Sequence, residues 1–261
     1  MQYQTLEVTV DGAVATVWLS RPDVRNAFNE TAIAEITDAF RAFDRDDRVR
    51  AVVLAARGPA FCAGADLNWM KKMAGYSHDE NLADAAQLAD MMRIIYRCSK
   101  PLIARVQGDC YAGGMGLVAA CDIVIAVDNA HFCLSEVKLG LTPATISPYV
   151  VKAIGTQAAQ RYFLTAERFS AQEAYRLGLV HEVVTFDALD TRVAQLLKAL
   201  LSASPHAVKQ AKRLVQDVAS APLTDALVSD TVERIAAIRV SQEGREGVRA
   251  FLEKRKPSWL A

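Results

Sequence analysis

Two short runs of small residues and one glutamate hold the chemistry-bearing pattern of this chain. Ala63-Gly64-Ala65 follows the apolar run Ala51 to Ala56, whose length and Arg57-Gly58-Pro59 boundary suit a buried strand. Small side chains at that point let a ligand approach the backbone. Gly113, Gly114 and Gly116 repeat the arrangement after Leu102 to Val106, and they open a small-residue helix running to about Ala120. A backbone N–H at a helix start lacks an intrahelical acceptor and lies at the positive end of the dipole. Two such amides converging on one oxygen make an oxyanion hole, which stabilises charge that develops only as a reaction proceeds. Glu136, in an apolar stretch before Gly140 and Pro143, supplies a carboxylate. Partial burial would raise its pKa toward a value useful for moving protons.

The elements that must position these groups alternate in type. Thr5 to Val10 and Val14 to Leu19 read as strands joined at Asp11-Gly12, a hairpin signal. Asn29 can cap a helix reaching about Asp44, with Ile33, Ile36, Ala39, Phe40 and Phe43 on one face. A strand at Ala51 to Ala56 precedes a helical stretch from roughly Asn81 to Cys98, and a strand at Asp122 to Val127 follows the glycine-rich helix. This order implies an α/β core. From about Thr156 the pattern turns mainly helical, with segments at Ser170 to Leu177, Leu189 to Ser202, Pro205 to Ala219 and Leu223 to Ser241. The expected organisation is a core over 1–200 and a C-terminal helical region over 201–261, whose apolar faces could cover the core or a neighbouring subunit.

Composition narrows the function classes. A 261-residue chain with 52% hydrophobic residues can bury a sizeable core. Thirty basic and 30 acidic residues cancel, so no global field draws nucleic acid or an anionic membrane. No stretch approaches a transmembrane helix in length, and Met1 to Asp11 lacks the features of a signal or transit peptide. A cytoplasmic location is the expectation. Cys62, Cys98, Cys110, Cys121 and Cys133 form no C-x-x-C pair and read as reduced core residues. His78, His131, His181 and His206 lack metal-ligand spacing, so no metal is expected.

Read together, RGPAFCAGADL (Arg57 to Leu67), QGDCYAGGMG (Gln107 to Gly116) and FCLSEVKLGLTP (Phe132 to Pro143) resemble the crotonase, or enoyl-CoA hydratase/isomerase, family. The resemblance runs from Leu6 to the FLEKRKPSW tail. It implies a spiral of ββα repeats followed by helices that build trimers, often paired as hexamers. It also implies that Ala65 and Gly113 donate the two amides that hold an acyl-CoA thioester oxygen, with Glu136 as a catalytic carboxylate. Coenzyme A would arrive as part of the substrate, with no separate cofactor. Arg25 matches a basic position near the CoA nucleotide. The backbone of Ala63, Asp66 and Leu67 would line the adenine and pantetheine path, and Phe251 and Lys254 match positions that reach the CoA of an adjacent subunit.

Hydratases of that family commonly carry a second glutamate at the position of Gly116. Its absence leaves several mechanisms open. One carboxylate can in principle take a proton from water and return it to C2, but the second helps to hold the water. Isomerisation needs only one base moving a proton between C2 and C4, so an enoyl-CoA isomerase is a rival, as is a general short-chain hydratase. A non-catalytic acyl-CoA-binding member could dispense with Glu136. An RNA-binding role is disfavoured by balanced charge and 7% aromatics.

The stretch from Phe132 through FCLSEVKLGLTPATISPYVVKAIG, with GADLNWMKKM, resembles the methylglutaconyl-CoA hydratase branch. A C3-branched, carboxylated substrate needs room near C3 and would be repelled by a second anion, so Gly116 is expected to line the acyl site and give both space and neutrality. Lys71 or Lys72 could meet the distal carboxylate, although a wet helix face explains both lysines. Tyr111 and Met115 read as packing residues, Asp122 as a local turn or cap partner, and Ser135 lacks His and Asp partners for nucleophilic catalysis.

Overall fold

A computed structural model describes residues 3–260; Met1, Gln2 and Ala261, which bound the two expected regions, lie outside the described residues. The first hairpin pairs β1 (Leu6–Asp11) with β2 (Val14–Leu19) antiparallel, Asp11 opposite Val14, and Gly12 takes the positive φ of 55° that closes so tight a turn. Helix α1 (Glu30–Arg45) starts at Asn29, whose side chain accepts the Ala32 N–H, and it buries the expected apolar face. Strand β3 (Ala51–Ala56) is buried along its whole length, as an interior parallel strand should be.

Helix α2 (Leu67–Met73) is short and was not expected from periodicity; the Asp66 carboxylate caps it by accepting from Asn68 and Trp69. Helix α3 (His78–Arg97) begins earlier than the apolar pattern suggests, because Ser77 and Glu80 form a reciprocal capping box. It packs against α1. Strand β4 (Leu102–Val106) leads through the short β5 (Cys110–Tyr111) into α4 (Gly113–Ala119), and β6 (Ile123–Val127) leads to β7 (His131–Cys133).

Helix α5 (Ser147–Thr165) contains a break at Gly155, where φ is 75° and ψ is 161°. That break explains why sequence periodicity reveals only its second half. After β8 (Phe169–Ser170), α6 (Ala171–Leu177) and β9 (Glu182–Val184), the chain continues as α7 (Phe186–Ser202), α8 (Pro205–Val218), α9 (Asp225–Val240) and α10 (Gln242–Leu252). Ser241 ends α9 and caps α10, a division the sequence pattern does not signal.

The main sheet runs β1-β2-β3-β4-β6-β9, parallel from β2 onward, and a second sheet runs β5-β7-β8. A single bridge between Cys62 and Cys110 joins the loop after β3 to this smaller sheet. The segments that leave the carboxyl ends of β3 and β4 are thereby held side by side. At the opposite end of β3, Arg50 donates to the Ala203 and Trp259 carbonyls, at 2.6 and 3.4 Å, and the Trp259 indole donates to the Ser202 carbonyl. The chain's own tail is thus tied to the entrance of β3, about 20 Å from its exit.

Asp122 is a local anchor, as its position before β6 suggests. Its Oδ2 accepts from the Leu102 N–H and from Lys212 Nζ, both at 2.7 Å, and Lys212 also donates to the Lys100 carbonyl. Burial pushes the Asp122 carboxyl up while Lys212 opposes that shift. Lys212→Met leaves the carboxylate uncompensated and is expected to cost about 3 kcal/mol in denaturant unfolding near neutral pH. The cost shrinks on acidification: the folded-state pKa lies above the unfolded value, so protonation restores stability that is lost as pH rises.

Candidate active site

Three segments converge beyond the carboxyl ends of β3 and β4. In the first, Arg25 and Asn26 take successive left-handed conformations, with φ of 52° and 55°. The buried Asn26 side chain holds this turn by accepting from the Arg21 N–H and donating to the Arg57 and Ala60 carbonyls. The Phe28 N–H then donates to the Gly64 carbonyl, and the Asp66 N–H to the Phe28 carbonyl, at 2.9 and 3.0 Å. In this parallel bridge between Phe28 and Ala65, the Ala65 N–H faces away from Phe28. It donates to no acceptor among the described residues.

The second segment is stitched to both neighbours. Tyr111 donates its N–H to the Cys62 carbonyl and Ala112 to the Cys133 carbonyl, each at 2.8 Å. Ala112 has φ 48° and ψ −125°, a conformation that costs a non-glycine residue about 1–3 kcal/mol and persists only where its surroundings impose it. Gly64 is part of those surroundings: with φ of 94°, it would bring a Cβ to 2.8 Å from the Ala112 Cβ. The Ala112 turn starts α4 with the Gly113 N–H free of any acceptor among the described residues. Phe28 closes over Gly113 so tightly that a Cβ there would lie 2.3 Å from its Cζ.

The third segment follows Cys133. Glu136 begins a short 3-10 turn, Glu136–Leu139, ended by Gly140 in the left-handed region. Its Oε2 is buried and has no hydrogen-bond partner among the described residues. Burial raises the carboxyl above the usual glutamate range, opposed by a bond from its own backbone N–H. A partly buried carboxylate oxygen without a protein partner is a candidate proton acceptor.

The other expected positions divide into groups. Arg25 is exposed and, with Ala63, Gln107, Asp109 and Tyr111, lines a cleft of ≈ 340 Å³. The Ala63 N–H is committed to the Arg25 carbonyl. Asp66 offers no free backbone group to a ligand: its N–H binds Phe28, its carbonyl accepts from Met70, and its carboxylate holds Arg21 at 2.8 Å. Burial pushes that carboxyl up, but Arg21 and the two capping amides outweigh burial and hold it below the usual aspartate range. Asp66 is therefore a framework residue rather than a lining one. Leu67 is 74% exposed beside the site. Phe251 and Lys254 are exposed, in and just after the last long helix, α10. Lys71 and Lys72 lie on the wet face of α2, where Lys72 pairs with Glu30 at 2.9 Å.

Gly116 requires a correction. It is buried, and a Cβ on it would lie 2.3 Å from Ile146 Cγ2 and 3.0 Å from Met92 Cε. The room expected at this glycine is filled by those two side chains, so Gly116 lends neutrality but no space. No sequence signal marks Ile146, Met92 or Phe28, because each acts through packing between segments distant in the chain. The Tyr111 hydroxyl donates to Asp109, and Met115 is buried, which makes both of them framework. Cys62 accepts the Gly64 N–H at 3.4 Å, and burial pushes its thiol up to about 12, far from a nucleophile.

A wider cleft of ≈ 590 Å³ at the amino ends of β4 and β6 includes Asp122, His181 and Lys212. There Asp122 binds Lys212, and His181 Nδ1 accepts the Val124 N–H. The free Ala65 and Gly113 amides lie at the other end of the sheet, and the Ala112 N–H bond to the Cys133 carbonyl ties the segment that carries Glu136 to that end. Among the described residues no cluster of metal-binding side chains occurs and no helix is long and apolar enough to cross a membrane.

Comparison with known proteins agrees with that geometry. The family model for enoyl-CoA hydratase/isomerase matches residues 9–261. A solved enoyl-CoA hydratase from Shewanella pealeana is 46% identical, with a TM-score of 0.96 over 99% of this chain and 97% of that one. A mevalonyl-coenzyme A hydratase from Aspergillus fumigatus is 36% identical over 92% of this chain and 89% of its own. A crotonyl-CoA hydratase from Syntrophomonas wolfei is 30% identical across 100% of both chains. The chain belongs to the enoyl-CoA hydratase/isomerase family, the crotonases, as an enoyl-CoA hydratase.

Proposed function

We propose that this hydratase adds water to a C3-branched, carboxylated enoyl thioester, 3-methylglutaconyl-CoA, giving 3-hydroxy-3-methylglutaryl-CoA as in leucine breakdown. The observation that carries the reading is the Glu136 carboxylate, whose Oε2 is buried without a partner among the described residues, with an apolar filling where a second carboxylate would stand. The sequence resemblance around Glu136 supports the same substrate, and a relative named for mevalonyl-CoA, whose acyl group is methyl-branched at C3, supports the branching.

In this mechanism the thioester oxygen lies between the Ala65 and Gly113 N–H groups. Glu136 takes a proton from water as the oxygen attacks C3, the C2=C3 π pair moves toward the carbonyl, and the two amides stabilise the resulting enolate. Glu136 then returns the proton to C2. Water is consumed whole, and no electrons leave or enter, so the reaction calls for no redox partner. Coenzyme A is carried by the substrate, with Arg25, Ala63 and Leu67 placed along its approach. By the family resemblance Phe251 and Lys254 would reach the CoA of another copy, which fits a homo-oligomer, trimer or dimer of trimers. The exposed apolar residues Val228, Val232, Ile235, Val248 and Leu252 on α9 and α10 suit such packing. A cytoplasmic setting is proposed with it.

Initial rates on 3-methylglutaconyl-CoA and crotonyl-CoA, with products identified by mass, test the substrate. The branched acid is expected to be preferred about tenfold or more in kcat/KM; equal or better use of crotonyl-CoA would instead favour a general short-chain hydratase.

A further inference from the structure

Ile146 stands at the position toward which a side chain on Gly116 would project. A Cβ on Gly116 would meet Ile146 at two atoms, 2.3 Å from Cγ2 and 2.8 Å from Cβ, and Met92 Cε at 3.0 Å. Met92 is flexible and can give way. Ile146 cannot do so readily. It is 2% exposed, its carbonyl receives the Tyr149 and Val150 N–H groups at the start of α5, and a β-branched side chain has few χ1 alternatives. The segment that carries Glu136 runs directly on to Ile146, and the 3-10 turn of Glu136 packs against α5. One stretch of chain therefore supplies the carboxylate and also the apolar block opposite Gly116.

We propose that Ile146 is a specificity-determining residue that restricts the site to one carboxylate and so favours enoyl thioesters bearing their own anionic group near C3. An apolar wall offers the attacking water no second acceptor. A carboxylate on the substrate, one carbon removed from C3, can accept that hydrogen bond in its place. A second protein carboxylate would repel the same substrate, since adjacent anions resist joint ionisation. This inference rests on the branched-acid reading above.

The test compares wild type, Ile146→Ala, Gly116→Glu and the double variant by thermal unfolding and by kcat/KM on crotonyl-CoA and 3-methylglutaconyl-CoA. Gly116→Glu alone is expected to lower Tm by several degrees, about 5 °C, through overpacking and a buried charge. Ile146→Ala should recover much of that loss, a non-additive result. The double variant should gain about tenfold on crotonyl-CoA and lose about tenfold on the branched acid. Additive stability changes, or an unchanged substrate ratio in a folded double variant, would overturn the proposal. Should both glutamate variants fail to fold, Ile146→Gln places a neutral acceptor at the same wall. A rise of about threefold in the crotonyl-CoA to branched-acid ratio then supports the role, and no rise refutes it. A wild type inactive on the branched acid would defeat the substrate reading and with it the preference for anionic thioesters, while unfolding coupling and the crotonyl-CoA gain would still test Ile146 as the block against a second carboxylate.

Discussion

Glu136→Gln lowers kcat for hydration about 10³-fold while leaving the Kd for a saturated acyl-CoA within about twofold. The amide keeps the shape of the side chain and loses the capacity to take a proton. The same change should leave the protein equally or slightly more stable at neutral pH. Burial raises the Glu136 carboxyl above its unfolded value, so its contribution favours the folded state at low pH and is lost as pH rises through the folded-state pKa. Glutamine removes that penalty. A variant that is inactive, binds ligand and melts no lower than wild type identifies a group kept for chemistry rather than for folding; a destabilised variant would point to a structural role.

Gly113→Ala is expected to cost about 10²-fold in kcat and about 1–3 kcal/mol in stability. A methyl group would stand 2.3 Å from Phe28 Cζ and 3.1 Å from its Cε1. Relief must come from moving either the ring or the first turn of α4, and the ring sits on the residue that bridges Ala65. Both amides would shift together. Phe28→Leu combined with Gly113→Ala should recover more stability than the two single effects predict, while kcat recovers only if the N–H groups realign. Full activity in Gly113→Ala would mean that the second amide of the site has been misassigned.

Much of the frame was legible in the sequence for identifiable reasons. The strands Val14–Leu19, Ala51–Ala56 and Leu102–Val106 stand where apolar runs placed them, because buried parallel strands leave a continuous signal. Asn29 and the Asp11-Gly12 turn gave local boundary chemistry that tertiary packing did not override. By contrast, β5, β7, β8 and β9 are too short to show a period, and the first half of α5 is hidden by the Gly155 break. The Ser77–Glu80 capping box was a readable signal that the apolar pattern alone passes over.

The site was legible to the extent that it is made of backbone. Small residues after two strands mark the two loops, and an apolar setting marks Glu136, but the choice of Ala65 and Gly113 as the donors comes from the family resemblance. The strained turn at Ala112 has no sequence mark, since alanine, unlike glycine or asparagine, does not signal a positive φ. The filling over Gly116 was misread because an absent side chain suggests room, whereas close-packed interiors bring a neighbour into the gap. Only the meeting of α4 with Ile146 and Met92 reveals it.

The most direct measurement for a one-carboxylate hydratase is the pH dependence of kcat/KM for water addition, in wild type and Glu136→Gln. The account predicts a single ionisation on the acidic side, displaced upward from the ordinary glutamate range, with activity rising as Glu136 loses its proton, and no such limb in the residual rate of the variant. An acidic limb that persists unchanged in Glu136→Gln would show that another group is the base and contradict the account.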